Sequence, residues 1–160
     1  MFQKKGNIEK VNQNVIKSLF GMYLEASFST KIDIKKFDKG LQEIGKKLNM
    51  EVSVHHETNT EKNIAIFVTK EPHCLEDLLD SHSKKDVKGK ICVIVGTEKT
   101  LAPLAKKAKI PFVLVAYRDQ EKAEEKLLEI CKKYCIDLIV LARYMKILTP
   151  NFVWRYPNRI

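Results

Sequence analysis

The run Leu141-Ala142-Arg143-Tyr144-Met145-Lys146-Ile147-Leu148-Thr149-Pro150 sets apolar side chains between two basic ones, directly after an apolar strand candidate. A stretch of this kind can line a ligand crevice. It reads equally well as a connection whose Met145, Ile147 and Leu148 pack onto the core. A second loop, Thr69-Lys70-Glu71-Pro72-His73-Cys74, has no glycine to let backbone N–H groups close around an anion, and Glu71 would repel a phosphate. Nucleotide binding at that turn is therefore not expected. His73 is the only histidine near the expected crevice and is a candidate acid or base, with plain loop structure as the alternative. His55-His56 lack a third metal ligand, and neighbours on a strand point to opposite faces, so a surface role is the better reading. Cys131 and Cys135, four apart on a helix, share a face and could bind metal only with outside help; burial is the commoner fate. Trp154 and Tyr156 read as packing residues.

Two patterns of hydrophobicity position these residues. In the first, Phe20, Met22, Leu24, Ala26 and Phe28 alternate with the residues between them, which predicts a strand with one buried face. Ile8 to Val15 is a weaker strand, with Ile16-Lys17-Ser18 as the turn between. Ile34, Phe37, Leu41, Ile44 and Leu48 recur at helical spacing, with Asp33 as N-cap and Asn49 as the stop. Val52 and Val54 begin a further short strand, and the polar run Glu57 to Lys62 reads as a linker.

The second pattern alternates strands and helices. Asn63 to Val68 is an apolar run suited to a strand covered on both sides. A helix follows from about His73 to Ser81, then a strand from Ile91 to Val95 and a helix carrying Leu101, Leu104, Ala105 and Ala108. A strand from Phe112 to Val115 leads into a charged helix, Gln120 to Tyr134, that buries Ala123, Leu127, Ile130 and Tyr134. The strand Leu138 to Leu141 closes the series, and Thr149-Pro150 starts a short helix through Trp154. This order predicts a doubly wound parallel sheet, with function beyond the carboxyl ends of its strands.

The bulk composition fits a globular chain: 44% hydrophobic and 31% charged residues, with no apolar run near the ~20 residues of a membrane helix. No export signal is visible after Met1, so a cytoplasmic location is expected. The four cysteines, Cys74, Cys92, Cys131 and Cys135, read as buried, reduced thiols. The net charge of +9 fits either an anionic partner or a solvated lysine-rich surface, and the scatter of the lysines favours the surface.

The turn from Leu141 to Pro150, with Phe152-Val153 and Tyr156-Pro157-Asn158-Arg159-Ile160, resembles the signature of formyltetrahydrofolate deformylases. Val68 to Leu75 with Asp77-Leu78-Leu79 resembles the same family's first loop, where glycinamide ribonucleotide formyltransferases carry glycines. The likeness continues through Val95-Gly96, Leu101 to Leu104, Ile110-Pro111-Phe112 and Asp137 to Leu141, and the front portion resembles an ACT domain. The implied fold is α/β, made of a partial ferredoxin-like ACT domain at residues 1–57, a linker at 58–62, and an incomplete Rossmann-like sheet of the formyltransferase type at 63–160.

The implied activity is hydrolysis of 10-formyltetrahydrofolate to tetrahydrofolate and formate, in one-carbon metabolism and purine synthesis. Met145, Lys146, Ile147 and Leu148 would then line the folate pocket, with main-chain groups bonding the pterin edge. The resemblance also implies an Asn-x-His-His segment after Ile160 and a later Asp, so no catalytic residue is expected within these 160 residues. Met1 to Lys5 resembles only the last turn of the first ACT helix, which makes a fragment truncated at both ends the expectation. No cofactor or metal is expected, the folate being the substrate. Expected partners are that substrate, a small amino-acid effector at the ACT-like part, and further copies of the full-length family's subunit; no nucleic acid or membrane is expected. Two rival readings are a formyltransferase using the same donor and a non-catalytic ACT-type binding or subunit-pairing module.

Overall fold

The computed structural model describes residues 6–16, 19–56 and 61–160. The helix remnant expected at 1–5, the turn residues 17 and 18, and linker residues 57–60 lie outside them. The chain divides into two compact units, Met1–Asn59 and Thr60–Ile160.

The first unit holds strands β1 (Gly6–Ile16) and β2 (Leu19–Phe28), paired antiparallel, and helix α1 (Ile34–Lys47). The hairpin is consistent with the ACT-like reading of this part. Alternation puts Phe20, Met22, Leu24 and Ala26 on one face with Val15, Val11 and Ile8 of the partner strand. The Asp33 carboxylate accepts the Lys36 N–H at 3.1 Å and caps α1. At the other end Asn49 takes a left-handed φ of 53°, a conformation asparagine tolerates better than most residues. Phe37 meets Phe28 edge-on, with ring centroids 5.5 Å apart.

The strand expected at Val52 and Val54 does not form. A strand needs a ladder, and the sheet in the first unit has two strands, β1 and β2, among the described residues. Met50 and Val52 lie against α1 instead, where the Val52 carbonyl accepts from the Gln42 amide. Gly45 makes this approach possible, since a Cβ there would lie 2.7 Å from the Met50 carbonyl oxygen and 2.8 Å from Val52 Cγ2.

The second unit is the expected parallel sheet. Its elements are β3 (Asn63–Val68), α2 (His73–Ser83), β4 (Lys90–Gly96), a 3-10 turn (Lys99–Leu101), α3 (Ala102–Lys107), β5 (Phe112–Leu114), α4 (Gln120–Lys133), β6 (Leu138–Ala142) and α5 (Pro150–Val153). The strand order is β5-β4-β3-β6, every neighbouring pair parallel. Alternate residues of β3 serve two cores. Ala65 and Phe67 face a cluster with Ala123, Leu127 and Cys131 of α4 and Phe152 of α5. Ile64, Ile66 and Val68 face Leu75 of α2 and Leu101 and Ala105. Both faces are thus covered, which is why the sequence of β3 is apolar without alternation.

Two details of α4 differ from expectation. Ile130 and Tyr134 are half-buried, while Glu124 and Cys131 are buried on the face toward the sheet. The helix ends at Lys133, and Cys135 follows in a left-handed conformation with φ 49°. Cys131 is therefore buried and Cys135 exposed, and the two do not share a helix face. The expectation of four buried thiols holds only for Cys131, since Cys74 and Cys92 are half-buried; all four are free. Among the described residues no helix is long and apolar enough to cross a membrane.

Candidate functional site

The path of the chain through the sheet reverses at β3. From β3 it runs outward to β4 and β5, and then α4 carries it back to β6 on the other side of β3. In open α/β sheets the crevice at such a reversal, beyond the carboxyl ends of the strands, is where ligands bind. The loops leaving β3 and β6 meet there, and the Met145 N–H donates to the buried Thr69 hydroxyl at 3.0 Å.

The loop after β6 begins with a sharp bend at Arg143, whose φ of 55° turns the chain out of the sheet. Tyr144 then points inward against Phe67, with ring centroids 5.5 Å apart, and meets Tyr117 edge-on at 6.2 Å. Met145 is 61% exposed and Ile147 86% exposed. Leu148 is half-buried against the core, and Lys146 holds its ammonium 5.8 Å from the centre of the Tyr117 ring. The four candidate residues therefore divide, Met145 and Ile147 facing outward while Lys146 and Leu148 turn toward the protein. Among the described residues, no hydrogen bond takes up the N–H groups of Lys146 and Ile147.

Beneath the loop lies a carboxylate that the reading of the sequence overlooked. Glu124, 5% exposed, accepts the Thr149 N–H at 2.8 Å, the Thr149 hydroxyl, the Tyr117 hydroxyl at 3.0 Å and the Gln120 amide at 3.3 Å. Gln120 also donates to the Ile147 carbonyl at 2.8 Å, and the Tyr117 hydroxyl lies 3.2 Å from that same oxygen. Burial, followed by the acceptor at Glu124, pushes the Tyr117 phenol up to about 12. Thr149 in turn accepts the Phe152 N–H and caps α5. A signal for Glu124 was present, because it shares a helical face with Gln120, Leu127 and Cys131 by the i±3, i±4 and i+7 spacing. An acidic residue on an apolar stripe needs donors.

The hydroxyl of Tyr144 is buried without a partner among the described residues, and burial drives its pKa upward. His73 opens α2 and is exposed; no hydrogen bond among the described residues brings it to the 143–149 loop. Among the described residues there is no group of three or more His, Cys, Asp or Glu placed to hold a metal ion.

The family model described as "Formyl transferase" matches residues 62–160. The chain is similar to the formyltetrahydrofolate deformylase of Bacillus subtilis, 42% identical over 101 residues, which cover 62% of this chain and 34% of that protein. It is similar to the deformylase of Haemophilus influenzae as well, 39% identical over 120 residues, covering 70% of this chain and 43% of that protein. The chain thus spans less than half the length of the curated relatives it matches. Among solved structures, a formyltetrahydrofolate deformylase from Burkholderia mallei aligns with 99% of this chain and 57% of its own, with a TM-score of 0.61 and 22% identity. A glycinamide ribonucleotide transformylase from Geobacillus kaustophilus aligns with 63% of this chain and 56% of its own, with a TM-score of 0.59 and 21% identity. At such identities the structural likeness shows the fold.

Proposed function

The chain belongs to the formyl transferase family, and we propose that its second unit is the folate-binding part of a formyltetrahydrofolate deformylase. In that reaction water adds to the formyl carbon of 10-formyltetrahydrofolate, the carbon–nitrogen bond breaks, the nitrogen takes up a proton, and formate and tetrahydrofolate leave. The observation that carries the proposal is the contrast between the two loops at the sheet reversal. The β6 loop offers outward Met145 and Ile147 and N–H groups without acceptors among the described residues, a surface suited to a flat heterocycle with a polar edge. The β3 loop has no glycine and carries Glu71, which disfavours a phosphorylated acceptor and leaves water as the acceptor.

The family resemblance assigns no polarising or acid–base group to these 160 residues. The proposal therefore assigns to them binding and positioning of the folate, and not bond breaking. Folate enters as substrate, without a resident cofactor. An amino-acid effector at the first unit, assembly with further copies and a cytoplasmic location belong to the same proposal.

Calorimetric titration of the 160-residue chain with tetrahydrofolate tests it. Saturable binding without formate release from 10-formyltetrahydrofolate is the expected result. Absence of binding, with glycine or methionine binding instead, would favour the ACT-type module; formate release would overturn the assignment of roles.

A further inference from the structure

We infer that Glu124 is the positioning residue of the 143–149 turn, setting the main-chain groups that meet a folate without touching it. The inference rests on the folate reading for its ligand and on geometry for the rest. A buried carboxylate is costly unless it is satisfied by donors, and this one is satisfied almost entirely by the turn and its supports. Its oxygens hold the turn's last residue directly, through the N–H and hydroxyl of Thr149. They hold Ile147 indirectly, because Gln120 and Tyr117, which contact Glu124, are also the groups that meet the Ile147 carbonyl. The Gln120 amide has two N–H groups and can serve both acceptors at once, whereas the single Tyr117 proton must be shared or alternate between them.

The opposite end of the turn is held by Thr69 through the Met145 N–H. Between these anchors lie the N–H groups of Lys146 and Ile147, without acceptors among the described residues. Fixing the carbonyl of Ile147 and the N–H of Thr149 fixes the peptide planes on either side of Leu148, and so the direction of the Leu148 N–H, which also has no acceptor among the described residues. A turn held in this way has less conformational freedom to lose when a ligand binds. Glu124 has a second consequence: its partners Gln120 and Tyr117 compete with any ligand donor for the Ile147 carbonyl.

The test compares Glu124→Leu, which removes every acceptor, with Glu124→Gln, which keeps one carbonyl oxygen. Two readouts are taken on the 160-residue chain: tetrahydrofolate affinity by calorimetry, and hydrogen exchange of the amides of residues 145–149 without ligand. Glu124→Leu should weaken binding roughly tenfold or more and speed exchange at Thr149, with Glu124→Gln restoring much of both. Faster exchange with unchanged affinity would overturn the inference, since the role would then be structural alone. If Glu124→Leu fails to fold, Gln120→Ala decides, because it removes one donor to the Ile147 carbonyl from an exposed site. It should weaken binding roughly threefold, and unchanged affinity would overturn the inference. Failure of the unsubstituted chain to bind tetrahydrofolate overturns the folate reading and the ligand part of this inference together. Equal exchange in all variants overturns the turn-holding part and leaves the folate reading standing.

Discussion

Both units are built from strands and helices, yet among the described residues only the second shows a core. Every buried hydrophobic side chain among the described residues lies between Ile64 and Phe152. Among the described residues of the first unit Gly45 alone is buried, while Ile8, Val11, Val15, Phe20 and Met22 of the hairpin and Ile44 and Leu48 of the helix region stay exposed. A two-stranded sheet with one helix offers a single, partly covered face, and such a hairpin has little stability of its own. The parallel sheet has helices on both faces, so each of its strands contributes to two cores. Periodicity makes elements; layers make a core.

The strongest way to break this comparison is to truncate one apolar residue in each unit. Phe67→Ala, at a site with 0% exposure, should cost about 3–5 kcal/mol. Val11→Ala, at a 47% exposed site, should fall within about 0.5 kcal/mol of zero. Urea unfolding followed by Trp154, the single tryptophan, reports directly on the second unit, and far-UV circular dichroism on both. Equal losses would mean that the first unit has a core after all.

Glycines sharpen the contrast. A Cβ at Gly96 would lie 2.3 Å from Phe112 Cζ and 2.8 Å from the Glu98 carbonyl, so Gly96→Ala should destabilise the second unit by about 1–3 kcal/mol. Gly40, inside α1, has nothing within 4 Å of the same position, and Gly40→Ala should stabilise the helix by about 0.5–1 kcal/mol. Thermal melts followed by circular dichroism check both signs.

Alkali offers a third probe. The folded state holds Tyr117 above the ordinary tyrosine value of 10, at about 12, so between these values the unfolded chain has lost a proton that the folded chain keeps. The resulting stability is complete below pH 10 and is lost as the pH rises toward 12. Urea midpoints measured across this window should fall less steeply in Tyr117→Phe than in the unsubstituted chain. A small effect is expected at Tyr144, whose hydroxyl has no partner among the described residues. Tyr144→Phe should be neutral or stabilising by up to about 1 kcal/mol. A clear loss in the urea midpoint would point to a bond made by that hydroxyl.

Local signals were read well where one side chain acts on its own neighbourhood. Asp33 caps α1 and Thr149 caps α5 as their positions imply, and the unbroken apolar run of β3 became a strand covered on both faces. The signals failed where a distant partner decides. Val52 and Val54 have strand character but no strand to pair with among the described residues, and Cys135 falls beyond a helix that ends two residues earlier.

The sequence by itself determined the order of strands and helices in the second unit, the absence of a glycine cradle after β3, and the apolar character of the turn after β6. Those properties follow from side-chain period and backbone freedom within a few residues. Tertiary structure alone decided which turn residues face outward and what holds them there. The anchors come from elsewhere in the chain: the Thr69–Met145 bond joins residues 76 apart, and the Glu124–Thr149 bond joins residues 25 apart. No local pattern encodes such a bond, because it exists only once the sheet has brought the ends of β3 and β6 side by side and laid α4 against it.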